Sequence, residues 1–425
     1  MSLFQSHFES LLNVFPAQGP ELLALRKRSY QRFQELGLPN RKWEDWQFTN
    51  FTPLKKESFN LEPRIELPEK LSYPAPVIAQ SNHLVILNGH FQNQWSQLPP
   101  GIKIRDFPGS PLSDSVAVPE PDDQNPFKAL NSALMTTNLV VNIPAHTSLK
   151  IPIHILYSTT ESDKPTMNHS RIKISLGTGS SATIYEHFLG STDERYWNNL
   201  VTRLEVGEQA SLDHVVIVEE GPKAYHIAAN DYILSRNSRL KSFQYCVGGK
   251  LNRRDLRLSL NGRDSEAELY GLTLSRNHQH IDLHVVVDHL KPACNSRQTF
   301  KNILADQSTG VFNGRVIVNP GSQKTDARQE NKNLLLSDQT LMHSNPQLEI
   351  YADDVKCAHG SSSGELDDEA LFYLRTRGIR QQTARQLIVR GFASELFTNL
   401  PGKELKIYFD SILTNWLKSV YSSDN

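Results

Sequence analysis

The sequence predicts a mainly β chain with helical ends, and three observations carry that reading. Apolar residues recur at helical spacing over the first 60 or so positions. From about Pro76 the period changes to short β-rich runs punctuated by Gly, Asn, Ser and Asp. The last 60 or so positions return to helical spacing. Three regions follow: 1–75 helical, 76–362 β, and 363–425 helical.

At the N-terminus, Phe4, Phe8, Leu11, Leu12 and Phe15 trace one helical face, with Pro16 as its stop. A second helix is expected from Glu21 to about Leu36, ended by Gly37 and Pro39. RKWEDWQFTNF then gathers Trp43, Trp46 and Phe48. Packing of the helices onto the next region accounts for this cluster; a recognition patch for a partner is the sharper alternative.

In the middle region, runs such as LVILNG, IPIHILYS, RIKISLG, HVVIVEE and AELYGLTLS are separated by similar junctions: GTGSSATI, VGEQASLD, SRNSRLKS and GRDSEAEL. Anchor positions Ala182, Ala210, Leu240 and Ala267 fall roughly 27–30 residues apart, within the range of solenoid repeats. One such coil cannot bury a core alone and would stack on its neighbours. A β-sandwich also yields many short strands, and periodicity leaves both open.

Towards the C-terminus, Asp367 is placed to cap a helix, Asp368 and Glu369 complement its dipole, and Gly378 suits its end. ARQLIVRGFASELF is helical and LPGK breaks it. Leu405, Tyr408, Phe409, Ile412, Leu413, Trp416, Leu417 and Val420 then line one face of a final helix, most of it expected to pack internally.

Composition narrows the function. Formal net charge is −1 and no Lys/Arg stripe appears, which argues against nucleic acid as a partner. No run of eighteen apolar residues points to a membrane span. The N-terminus lacks the pattern of a secretory signal or a transit peptide, so a bacterial cytosol is the expected location. The three cysteines, Cys246, Cys294 and Cys357, are far apart, which suits a reducing compartment. Three thiolates do not make a permanent four-thiolate cluster, so any cluster would be shared, transient or completed by other ligands.

The most informative segment is YADDVKCAHGSSSGELDDEALFYLRTRGI (Tyr351–Ile379). It reads as a strand, a Gly/Ser turn and a capped helix. Cys357 and His359, at i and i+2 of the strand, share a face, placing a soft thiolate beside an imidazole that suits a metal or cluster edge. The polar surroundings, Lys356 among them, favour thiolate. A small buried hydrophobe is the plain reading of Cys357. A second constellation is His278, His280, Asp282 and His284 on one strand parity, a possible metal ladder or else a solvated outer face. His289, of opposite parity, suits a satisfied, partly buried histidine. PGSQKTD has Gln323 where a P-loop needs glycine, so ATP hydrolysis is not expected of this chain.

DDVKCAHG followed by GELDDEALFYLRTRGI resembles the SufD family of the iron–sulfur cluster assembly machinery. HIDLHVVVDHLKPACNSRQTFKNIL, GVFNGRVIV, QKTDARQENKNLLLSD and PQLEIYADDVKCAHG extend the match upstream. The likeness is strong over roughly the last 150 residues and loose before them. It implies a right-handed parallel β-helix and a non-catalytic scaffold working with a paralogue, SufB, and an ABC-type ATPase, SufC. It places Cys357 and His359 at the SufB junction, at the edge of a transient cluster or iron site, with no permanent cofactor. It also implies SufC docking at the C-terminal helices, with Leu371, Tyr373, Phe392 and Leu396 as contacts; whether a homodimer forms where SufB is absent is left open by the sequence. SSSG (Ser361–Gly364) departs from the family's small-apolar/Thr turn, while the CAHG motif and the scarcity of cysteine favour SufD over SufB. A carbohydrate-active β-helix enzyme using Asp353 and Asp354 as acid and base is the rival reading.

Overall fold

In the computed structural model, residues 3–15, 19–62, 81–107, 124–160, 162–190 and 194–421 are described. Pro16 and the 75/76 boundary lie outside them. The N-terminal region forms α1 (Leu3–Val14), α2 (Pro20–Leu36) and the short α3 (Thr52–Lys56). Gly37, at φ 67°, closes α2 by donating its N–H to the Phe33 carbonyl. Phe8 and Tyr30 stack at 4.3 Å and tie α1 to α2.

The β region is a parallel β-solenoid of about seven turns, so the solenoid alternative holds and the sandwich does not. Successive strands alternate between two sheets and each pairs in parallel with the strand one coil away. Along the second sheet, Ala182, Leu212, Leu240, Ala267, Ser296, Ala327 and Cys357 form one register column. Three of the expected anchors lie on it; Ala210 lies two residues ahead, in the turn. The junctions repeat for a backbone reason. Gly179, Gln209, Asn237, Asp264, Ala293 and Lys324 stand three residues before successive column members, all with φ between 52° and 63°. Each coil turns its corner through one left-handed residue, a conformation that Gly and Asn adopt most readily.

Alternate side chains point into the solenoid and stack as an apolar core, including Ile184, Val216, Leu258, Val285 and Val316. A helix the sequence reading omitted, α4 (Pro126–Leu134), lies inside the β region. Its start is signalled by Asn125-Pro126: the side-chain Oδ1 of Asn125 accepts from the Phe127 and Lys128 N–H groups, and Pro126 occupies the first turn. Buried Arg26 of α2 donates to the carbonyls of Ala133 and Met135 at the end of α4, at 3.0 and 2.8 Å. Burial pulls its pKa down to about 9.

Helices α5 (Asp368–Thr376), α6 (Gln381–Ser394) and α7 (Lys403–Tyr421) complete the chain. The expected stripe of α7 packs on the outer face of the second sheet, against Tyr185, Val215, Phe243, Tyr245 and Leu272. Lys301 pins this region by donating to the Phe392 carbonyl at 2.9 Å and pairing with Glu395.

Candidate functional site

The two ends of the solenoid differ. At its start, the strands His90–Phe91 and Lys103–Phe107 pair antiparallel and cap the sheets. At its finish, Leu341–Ile350 and Lys356–Gly364 each pair on one side only, with Thr309–Val318 and Asp326–Leu335. Every residue of these two strands is at least partly exposed. Among the described residues, the coil ends in two bare edges, an arrangement soluble proteins avoid unless something pairs with it. Glycine and serine of GSSSG belong to the last strand, not to a turn; the strand reaches Gly364 before Asp367 caps α5 through the Glu369 and Ala370 N–H groups.

Cys357 and His359 lie on this last strand, in register with Ala327 and Gln329. Ala327 and Gln329 point into the solenoid and are buried, so Cys357 and His359 continue inward-facing columns onto a coil with nothing stacked above it. His359 is exposed, and Cys357 is half-buried against the apolar core. Burial pushes the Cys357 thiol up and the Asp326 carboxylate adds to the shift, against a backbone hydrogen bond at Ala327. This corrects the expectation of a thiolate: Lys356, one residue away, points to the opposite face.

Polar side chains clasp the two edge strands together. Asn331 Oδ1 accepts from Ser344 Oγ at 2.7 Å and from Asn333 Nδ2 at 2.8 Å, and Ser344 Oγ lies 2.7 Å from Ser361 Oγ. Asn302 donates to Asn333 Oδ1 at 2.7 Å, and Asn333 donates to Ser363 Oγ at 3.1 Å. The inside of the solenoid is thus lined by amide and hydroxyl groups at the open end.

The histidine ladder is put to a different use. His278 is exposed in the turn before the strand His280–His289 and does not join its column. His280, Asp282 and His284 do share a face, but Thr49 of the N-terminal region covers it. Thr49 Oγ1 lies 2.9 Å from His280 Nε2 and donates to Asp282. Asp282 also takes Arg253 at 2.6 Å and His284 Nε2 at 3.1 Å. The face is neither a ligand row nor solvated: it docks the N-terminal region. Among the described residues, no three His, Cys, Asp or Glu side chains converge as a metal-holding group. His289 is fully buried, its Nε2 2.9 Å from Ser296 Oγ. Trp46, from the aromatic cluster, packs on Phe51, Phe127 and the Arg253 guanidinium, which answers to the packing reading.

Of the expected docking contacts, Leu371 and Leu396 are buried, and Phe392 packs against the Lys301 ammonium at 4.6 Å. Tyr373 is exposed, and beside it stands Phe372, 69% exposed and absent from the sequence expectation. Phe372 and Tyr373 lie on the face of α5 turned away from buried Leu371, and spacing alone does not say which face of a helix is covered. Gln329 and Asn331 were missed for another reason: alternating amides in DARQENKNLL look like a solvent face, although they point inward. Asp353 and Asp354 lie exposed in the bend before the last strand.

Comparison with known proteins adds the following. Residues 157–392 match the family described as SUF system FeS cluster assembly, SufBD core domain. The chain is 30% identical to the iron–sulfur cluster assembly protein SufD of Escherichia coli, covering 93% of each. It is 31% identical to an iron–sulfur cluster assembly SufBD family protein of Synechocystis, over 86% of this chain and 84% of that one. A chloroplastic protein of Arabidopsis thaliana, ABCI7, is 29% identical over 94% of this chain and 86% of its own. No helix among the described residues is long and apolar enough to cross a membrane.

Proposed function

The chain belongs to the SufBD family of the SUF iron–sulfur cluster assembly system, and from that premise we propose that it is the SufD-type scaffold subunit of a complex with SufB and SufC. The observation that carries this reading is the bare final coil, on which Cys357 and His359 extend inward columns to an unpaired edge. A paralogous solenoid pairing its own edges with these strands satisfies their backbone groups and brings its ligands opposite Cys357 and His359. Iron and sulfur are the cargo at that junction. His359 supplies an exposed imidazole and Cys357 a thiol, ionised once cationic iron is bound. Without SufB, a second copy of this chain offers the same edges. SufC binds at α5 and α6 through Phe372, Tyr373 and Leu387, and supplies the ATP hydrolysis. No cofactor is held permanently, and a bacterial cytosol suits the cysteine usage.

The test is anaerobic co-purification of the tagged chain with SufB and SufC partners, followed by cluster yield on the recovered complex. Recovery of all three, with yield lost in His359→Ala and reduced in Cys357→Ala, supports the reading. A chain recovered alone, or full yield in both variants, overturns it.

A further inference from the structure

His359 is the last member of an inward column that runs Ile184, His214, Ser242, Leu269, Gln298, Gln329, His359. Its two nearest members are amides, each almost wholly buried. Gln329 Nε2 donates to Gln298 Oε1 at 3.0 Å. That bond uses one of the two N–H donors of Gln329 Nε2; Gln329 Oε1 and Gln298 Nε2 are left buried without partners among the described residues. A buried carbonyl oxygen without a donor is destabilising, so the site favours a donor that can reach it. Gly314 makes the room for this side chain: a Cβ there would come within 2.4 Å of Gln329 Nε2. The amide is therefore held from below by Gln298 and from the side by the Gly314 backbone, with its acceptor unused. The adjacent side chain on the column is the His359 imidazole, whose ring nitrogens have no partner among the described residues.

We infer that Gln329 is a positioning residue for His359: its Oε1 accepts the imidazole N–H, fixes one tautomer and leaves the other nitrogen's lone pair facing out of the open end. A metal-binding histidine commonly donates its second N–H to a carbonyl or carboxylate, which sets both ring orientation and basicity. Here that acceptor is built into the preceding coil, and the buried amide and the imidazole satisfy each other. The inference rests on the proposed role of His359 at the junction, and its main test does not depend on that role.

The full chain labelled with 15N-histidine gives the tautomer of each ring by long-range 15N–1H correlation, with His359 assigned from the signal lost in His359→Gln. A single dominant tautomer at His359 in the wild type is expected, relaxing to a mixture in Gln329→Met. Gln329→Glu, which restores an acceptor, should return the single tautomer. Mixed tautomers in the wild type, where no variant can misfold, overturn the inference, as does a single tautomer that Gln329→Met leaves unchanged. In the reconstituted complex, Gln329→Met should weaken Fe(II) binding about 10–100-fold, and unchanged binding counts against it. A fixed tautomer combined with full cluster yield in His359→Ala would sink the proposed function and leave the positioning contact standing.

Discussion

The Arg253 guanidinium meets the Asp282 carboxylate at 2.6 Å, both buried, where the N-terminal region covers the first sheet. Arg253 also donates to the Asp45 carbonyl at 2.9 Å and lies 4.1 Å over the Trp46 ring. One ion pair between neighbouring strands therefore holds a segment more than 200 residues away in sequence. Asp282 is one of two carboxylates that pair with buried Arg253, the other being Asp255 at 2.8 Å, so Asp282→Ala should cost about 1–3 kcal/mol. Limited proteolysis should then cut between Pro39 and Thr52 sooner than in the wild type, and equal cutting would contradict the contact.

The same pair sets an acid limit. Burial opposes ionisation of Asp282, but Arg253 and His284 outweigh it and hold the carboxyl well below its usual range. A carboxyl depressed in the folded state contributes stability above the unfolded pKa of about 4, and loses it as pH falls toward the folded value. Release of the N-terminal cover, read from tryptophan fluorescence, should begin below about pH 4 and become insensitive to pH in that range in Asp282→Asn.

Cys357 should react slowly with alkylating reagents despite its partial exposure, because burial and Asp326 disfavour its thiolate. Asp326→Asn removes that negative charge and should speed iodoacetamide labelling at pH 8 by about two- to fivefold. No change would show that burial alone controls the thiol.

On the proposed SufC-docking face, exposure separates the residues. Phe372→Asp should abolish recovery of the SufC partner while moving unfolding stability by no more than about 0.5 kcal/mol, since the side chain is exposed. Leu396→Asp should instead destabilise the chain by several kcal/mol, on the order of 3–5, because that side chain lies in the core under α7. Retention of the partner by Phe372→Asp would move the docking surface elsewhere.

Ala293 turns a corner at φ 58° with a Cβ it does not need. Ala293→Gly should stabilise the solenoid by up to about 1 kcal/mol, less what glycine loses in unfolded-chain entropy. A clear loss of stability would mean that the corner depends on the methyl group.

Much of this was legible in the amino-acid order. Helical spacing marks α1, α2 and α7, Asp367 marks the start of α5, and the recurring junctions mark the coils, because periodicity and capping act within a few residues. Cys357 and His359 were likewise readable as neighbours on one face, since a strand alternates its side chains whatever it packs against. The tertiary structure decided what each face meets. Alternation cannot say which parity is inside, so the inward setting of Gln329 and Asn331 is not legible, and the row His280, Asp282, His284 reads as a ligand set or a solvated face. Nor can local spacing say that Leu396 is covered while Phe372 is not. Those outcomes depend on contacts between residues tens to hundreds of positions apart, such as Thr49 on Asp282 and Phe392 on Lys301, which exist only once the coils have stacked.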